Sequence, residues 1–280
     1  GLTLPAGSQI NGVNFRVEAD AQIIADVLRN EIRFNEDDGL HTSDRANSGT
    51  DLRDISLSIF SNTISDNFDD GLDFTSVVGQ TQVLVIGRDG TDAQGVSLSN
   101  DISRNGNIGI RFGPGAGAAR AAIFSNTINQ NGQVTSTPIG GAAPGSVVNG
   151  SGIQIQTSAN VAIKGNTFES NNGAGVDINS GGNYSVRDNT FQFNQNDGIE
   201  FVGSTQAVIH GNLFSANIGR GIDILVNGGQ SNYEIGDGTE AGRNRIIGNQ
   251  REGIYFVSTA SGSQSQNCLL YTSPSPRDEL

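Results

Sequence analysis

The residues with chemistry to offer recur at one position of a repeated pattern. In chain order they are His41, Asp73, Arg111, Gln154, Asp177, Glu200, Asp223 and Tyr255, each two residues after a Gly. The first three place an imidazole, a carboxylate and a guanidinium on successive repeats and form the candidate catalytic group. Just before the same Gly come Asp37-Asp38 and Asp69-Asp70. Stacked pair on pair, these four carboxylates repel unless they are protonated, paired or bound to a cation. Oxygen-only clusters suit Ca²⁺, so Asp37, Asp38, Asp69 and Asp70 are candidate metal ligands. Asp is also an ordinary turn residue beside Gly, and a solvated acidic corner explains the same pattern. A second group, Asp177, Glu200 and Asp223, gives one acid on each of three successive repeats. Like charges directly opposite destabilise a sheet, and a bound cation or a polyhydroxylated ligand relieves them. These three are the candidate ligand-binding residues, and a row of surface acids that opposes end-to-end aggregation explains the same pattern.

Other motifs are weaker. The two histidines, His41 and His210, and the single Cys268 form no His pair or Cys cluster of the zinc type. Gly113-Pro-Gly-Ala-Gly117 lacks the Lys-Ser/Thr of a phosphate loop and reads as a turn. No nucleophile elbow accompanies either histidine.

The elements that must position these residues follow from an internal repeat. Asn opens and closes a six-residue motif eight times: Asn30/Asn35, Asn62/Asn67, Asn100/Asn105, Asn126/Asn131, Asn166/Asn171, Asn189/Asn194, Asn212/Asn217 and Asn244/Asn249. An Ile or Phe lies between each pair. A Gly followed by an aliphatic residue comes four positions after the second Asn, delayed by an insertion to Gly152 in the fourth repeat. The shortest spacing, 23 residues, is the unit, and longer spacings carry insertions. The largest, near 133–151, is rich in Gly, Pro and Ser and reads as a surface loop. The apolar-x-apolar step after Gly is a period-2 strand with one face buried, and two further short strands fit in each unit. Three short strands cannot bury a core alone. Stacked coil on coil at ~4.8 Å, they form three parallel sheets around a shared narrow core. The expected fold is therefore all-β, a solenoid of about eight coils. Asn is expected at the tight corners, tolerating a left-handed backbone and forming amide ladders; Gly is expected to supply a second sharp corner.

Composition agrees. The 280 residues include 39 Gly and 30 Asn, no Met and no Trp, with a net charge of −13. An acidic chain with scattered Arg is a poor nucleic-acid binder. No apolar run is long enough for a transmembrane helix. Residues 1–26 read as partial N-terminal coils of a longer chain, 27–257 as the solenoid, and 258–267 as the end of the genuine sequence. Residues 268–280 resemble the conceptual translation of a sequencing-library adapter over Cys268–Asp278, and a disordered tail is expected there.

The Asn-x-Ile-x-x-Asn-x-x-x-Gly-Ile repeats over roughly 27–257 resemble the right-handed parallel β-helix of the pectin-lyase-like superfamily, in its bacterial secreted and surface members. The inserts Ile86-Gly-Arg-Asp-Gly-Thr91 and Ile235–Asn244 are similar to Ile-Gly-x-x-Gly-Thr segments of large surface proteins of this type. The resemblance implies an extracellular or cell-surface bacterial location. It also implies a structural or polysaccharide-contacting role that requires no cofactor, with cell-surface glycans as partners. A Ca²⁺-dependent polyuronate lyase is the alternative it implies. In such enzymes Ca²⁺ neutralises a uronate and a basic side chain takes the adjacent proton, a place for Arg111 or His41. The Gly-His-Gly and Arg-Ile-Lys of polygalacturonases and the Asp-Pro-His of mannuronan epimerases do not occur.

Overall fold

The computed structural model describes residues 11–17, 22–44, 54–75, 81–114, 118–133, 150–228, 231–259 and 265–269. The loop expected near 133–151 lies, for 134–149, outside the described residues, as do 1–10, 18–21, 260–264 and 270–280. The described strands form three wholly parallel sheets. Sheet A holds nine strands carrying the Gly-aliphatic motif, from Val13–Val17 to Ile254–Ser258. Sheet B holds nine strands that precede the first Asn of each repeat, from Ile23–Leu28 to Ser265–Leu269. Sheet C holds eight three-residue strands between the two Asn positions, from Glu31–Arg33 to Arg245–Ile247. The chain visits A, B and C in turn, making eight complete coils and the A and B strands of a ninth. Val13–Val17 pairs with Leu40–Asp44, so the sheet A and sheet B strands of the first coil precede the first Asn pair. Ser265–Leu269 pairs with Ser231–Ile235 and runs two residues into 268–280.

Alternation along each strand sends apolar side chains inward, where register stacks like on like. In sheet C, Phe168, Phe191 and Phe214 stack with centroids 4.8 and 4.7 Å apart and planes within 6°. Burying each ring stabilises the fold by roughly 1.5–3 kcal/mol. Tyr184, Phe201, Tyr233 and Phe256 interlock edge to face between sheets B and A. Thr42 occupies the core slot in register with Phe74 and leaves its buried hydroxyl unpaired.

Both corners of sheet C are amide ladders. The Asn171 Nδ2 donates to Asn194 Oδ1 and to the Ile128 carbonyl, each at 3.0 Å. Its Oδ1 accepts from the backbone N–H and the Nδ2 of Asn131. The same pattern runs from Asn30 to Asn244 in the first ladder and from Asn35 to Asn249 in the second. Two donors and two acceptors per amide are satisfied, so these groups can be buried.

Two local expectations are corrected. At most corners the left-handed residue is not the Asn but its predecessor, as at Ser61, Ser170, Asp188 and Phe193; Ser99 and Arg243, which end inserts, are the exceptions. The Asn itself takes an ordinary conformation that aims its amide along the stack. The Gly before each sheet A strand does not need a positive φ either. A Cβ at Gly175 would lie 2.6 Å from the Gly198 carbonyl oxygen and 2.7 Å from the Phe191 ring. Close approach between coils, not turn geometry, requires glycine there.

The long insert at 88–99 leaves after the sheet B strand Thr81–Ile86, and the 237–243 insert leaves after Ser231–Ile235. Both leave the coil between sheets B and C; residues 45–53 and 76–80, which follow the sheet A strands of His41 and Asp73, lie outside the described residues.

Candidate functional site

Sheet A stacks the expected column in register. His41 pairs with Asp73, Asp73 with Arg111, Arg111 with Gln154, Gln154 with Asp177, Asp177 with Glu200, Glu200 with Asp223, and Asp223 with Tyr255. Asn14 adds one member at the N-terminal end. The stripe is less open than an outward-facing row suggests: Asp73, Gln154 and Asp177 are buried. Each is sandwiched between the side chains of neighbouring coils ~4.8 Å away.

At the N-terminal end of the stripe, the residue before Gly builds a third, short ladder. Asn11 Oδ1 accepts the Asp38 N–H at 3.1 Å, Asp38 Oδ1 the Asp70 N–H at 3.0 Å, and Asp70 Oδ1 the Ile108 N–H at 2.9 Å. This is why Asp38 and Asp70 are buried. Their second oxygens face the stripe. His41 Nδ1 lies 2.9 Å from Asp38 Oδ2 and 3.1 Å from Asp73 Oδ2. Arg111 lies 3.5 Å from Asp70 Oδ2 and 3.9 Å from Asp73 Oδ2. The expected catalytic group and the expected metal ligands therefore form one cluster, with five carboxylates around two cations. Asp66 turns away to a two-point pair with Arg104, which holds its carboxyl below the usual range.

The electrostatics decide what this cluster can do. The Asp38 and Asp73 carboxylates beside Nδ1 push the His41 imidazole up to about 10. A group held protonated at neutral pH does not accept a proton from a substrate. The carboxylates around Arg111 likewise oppose its losing a proton. Burial, then the neighbouring Asp69, push the Asp70 carboxyl up to about 8. Burial, then Asp38 and Asp69, push Asp37 up to about 6. Oxygens of Asp37, Asp38 and Asp69 lie within 4.8 Å of one another and fit a hard cation. Asp70 does not converge with them, because its oxygens face Ile108 and Arg111.

The second acidic group differs. Asp177 is held by Gln154 at 3.1 Å and Asn179 at 2.7 Å. Asp223 pairs with Arg220 at 2.8 Å, and that guanidinium also sits 4.0 Å over the Tyr255 ring. Glu200 lies between them with no hydrogen-bond donor among the described residues. Burial, then Asp177, Asp197 and Asp223, push its carboxyl up to about 7.

A further feature lies on the outer face of sheet B. Asn160, Asn183, Gln206 and Asn232 are in register on successive coils, all exposed, and Asn183 donates to Asn160 at 2.7 Å. They border an open trough of about 430 Å³ floored by Ala162, Ser185 and Val208. Sequence reasoning missed it, although a signal exists. Asn160, Asn183 and Gln206 each precede a ladder Asn by six residues.

Among the described residues no helix is long and apolar enough to cross a membrane. Comparison with curated proteins and with solved structures gives no match. The family model described as a right handed beta helix region matches residues 99–270, more than half of the chain and coil upon coil of the three sheets above. The chain belongs to the right-handed β-helix family.

Proposed function

We propose that the chain is a non-catalytic, polysaccharide-contacting β-helix module of a bacterial secreted or cell-surface protein. The observation that carries this reading is the exposed amide column of Asn160, Asn183, Gln206 and Asn232 above a floor of small side chains. An amide both donates and accepts, as a sugar hydroxyl does, so one side-chain type serves hydroxyls of either role. The coils repeat at ~4.8 Å, close to the advance per residue of an extended pyranose chain, so one column can meet successive sugars. On sheet A, Asp177, Glu200 and Asp223 offer a second column of hydroxyl acceptors. The protonated state of His41 opposes proton abstraction and favours binding over lyase chemistry.

Affinity electrophoresis against soluble xylan, hydroxyethyl cellulose, pectate and alginate tests the reading, with Ca²⁺ present. Retention by at least one polymer is expected. The Asn183→Ala, Gln206→Ala double variant should bind roughly 10-fold more weakly, about 1 kcal/mol or slightly more for two hydrogen-bonding groups. No retention by any polymer, or retention unchanged in the double variant, would overturn the contact face. Unsaturated-product absorbance from pectate or alginate would overturn the non-catalytic part.

A further inference from the structure

Three donor atoms converge on one point at the N-terminal end of the stripe. His41 Nδ1 faces Asp38 Oδ2 at 2.9 Å and Asp73 Oδ2 at 3.1 Å, and each of the three residues offers a ligand atom within 4.8 Å of the other two. Nδ1 carries at most one proton, and one proton makes one well-aligned hydrogen bond. The second carboxylate oxygen therefore receives no proton from the nitrogen it faces. Divalent first-row ions bind imidazole nitrogen and carboxylate oxygen at roughly 2.0–2.2 Å. Two such ligands at right angles are separated by about 3 Å, and at the tetrahedral angle by about 3.4 Å. Both nitrogen–oxygen separations fall in this range.

A second observation points the same way. Asp73 is buried, and its Oδ1 has no hydrogen-bond partner among the described residues. Other carboxylates of the stripe are engaged differently. Asp177 receives Gln154 on one oxygen and Asn179 on the other, and Asp223 receives Arg220. The Thr75 hydroxyl donates to Asp73 Oδ2 at 3.3 Å, not to Oδ1. The carboxylate with an orphaned oxygen is thus one of the three converging groups. The side chains are also prepositioned: Asp38 is fixed by its Oδ1 accepting the Asp70 N–H, and His41 and Asp73 sit on paired strands.

We propose that His41 Nδ1, Asp38 Oδ2 and Asp73 Oδ2 form a binding site for a first-row divalent transition-metal ion of the Zn²⁺ type. On binding, the ion takes the place of the Nδ1 proton, which leaves to solvent. The nitrogen ligand sets this site apart from the all-oxygen set of Asp37, Asp38 and Asp69, which suits Ca²⁺. The inference is independent of polysaccharide binding.

Titration calorimetry of the full chain with ZnCl₂ should show one saturable equivalent. His41→Ala and Asp73→Asn should each weaken it by at least about 100-fold, since even residues behind the ligands are worth 10–100-fold. Asp177→Asn and Glu200→Gln should leave it unchanged, and circular dichroism should verify that each variant keeps its strands. A readout needing no variant is the imidazole ¹⁵N spectrum of the wild type, where Zn²⁺ should shift the His41 Nδ1 signal. Absence of saturable Zn²⁺ binding, equal binding by the folded His41→Ala variant, or a shift at His210 alone would overturn the proposal. So would displacement of Zn²⁺ by equimolar Ca²⁺.

Discussion

Asn171 and Glu200 stand one coil apart in the stacking, one on a sheet C corner and the other on the sheet A stripe. Asn171 has the same side chain above and below it, donating to Asn194 and accepting from Asn131. Glu200 has acids above and below it, Asp177 and Asp223, and no hydrogen-bond donor among the described residues. A β-helix forces identical positions into contact every ~4.8 Å. A stack of amides satisfies itself, because each group carries donor and acceptor. A stack of carboxylates carries acceptors only and must import a proton, a cation or a donor. His41 and Arg111 serve the first acidic group and Arg220 serves Asp223, while Glu200 retains a proton more readily than usual. The same periodicity therefore yields rigid buried corners in one place and a chemically unsatisfied surface in another.

The largest test of this contrast turns one ladder into the other kind. Asn171→Asp removes the Nδ2 donations to the Asn194 oxygen and the Ile128 carbonyl and sets a buried carboxylate against both acceptors. A loss of about 3–5 kcal/mol in urea unfolding is expected. Gly175→Ala comes next. Its Cβ meets the Gly198 backbone and the Phe191 ring, and parting the coils should cost roughly 1–3 kcal/mol.

Glu200→Gln should act in the opposite sense. The folded carboxyl titrates near 7 against an ordinary 4.5, so the folded state holds the proton more tightly. Stability from this group is complete below about pH 4.5 and lost as pH rises through about 7. Glutamine removes that loss. The variant should gain ~1–2 kcal/mol at pH 8, after allowance for solvent screening, and nothing at pH 4. The smallest effect is expected at Asn183→Ala. Its exposed amide should change stability by no more than about 0.5 kcal/mol while weakening polysaccharide retention.

Much of this was legible in the chain. The fixed interval between Asn166 and Asn171, repeated at 189/194 and 212/217, sets the coil, and the coil sets the register of Asp177, Glu200 and Asp223. Other features carry no such mark. Ser170, Phe193 and Ala216 take the left-handed conformation without sharing a residue type, so no single residue marks the corner. The glycine requirement arises between coils, so it looks like a turn signal when read along one. The pairing of His41 depends on how its ring turns toward Asp38, which spacing does not encode. The amide column was diluted by Gln206 and by the insert after Asn232, although its period equals that of the ladders.

The central claim is that stacking stabilises amides and strains carboxylates on one scaffold. Urea unfolding at pH 8 of the wild type, Asn171→Asp and Glu200→Gln measures it directly. The account predicts midpoints shifted in opposite directions, down for Asn171→Asp and up for Glu200→Gln, with the upward shift absent at pH 4. Two downward shifts at pH 8, or a Glu200→Gln gain that persists at pH 4, would contradict it.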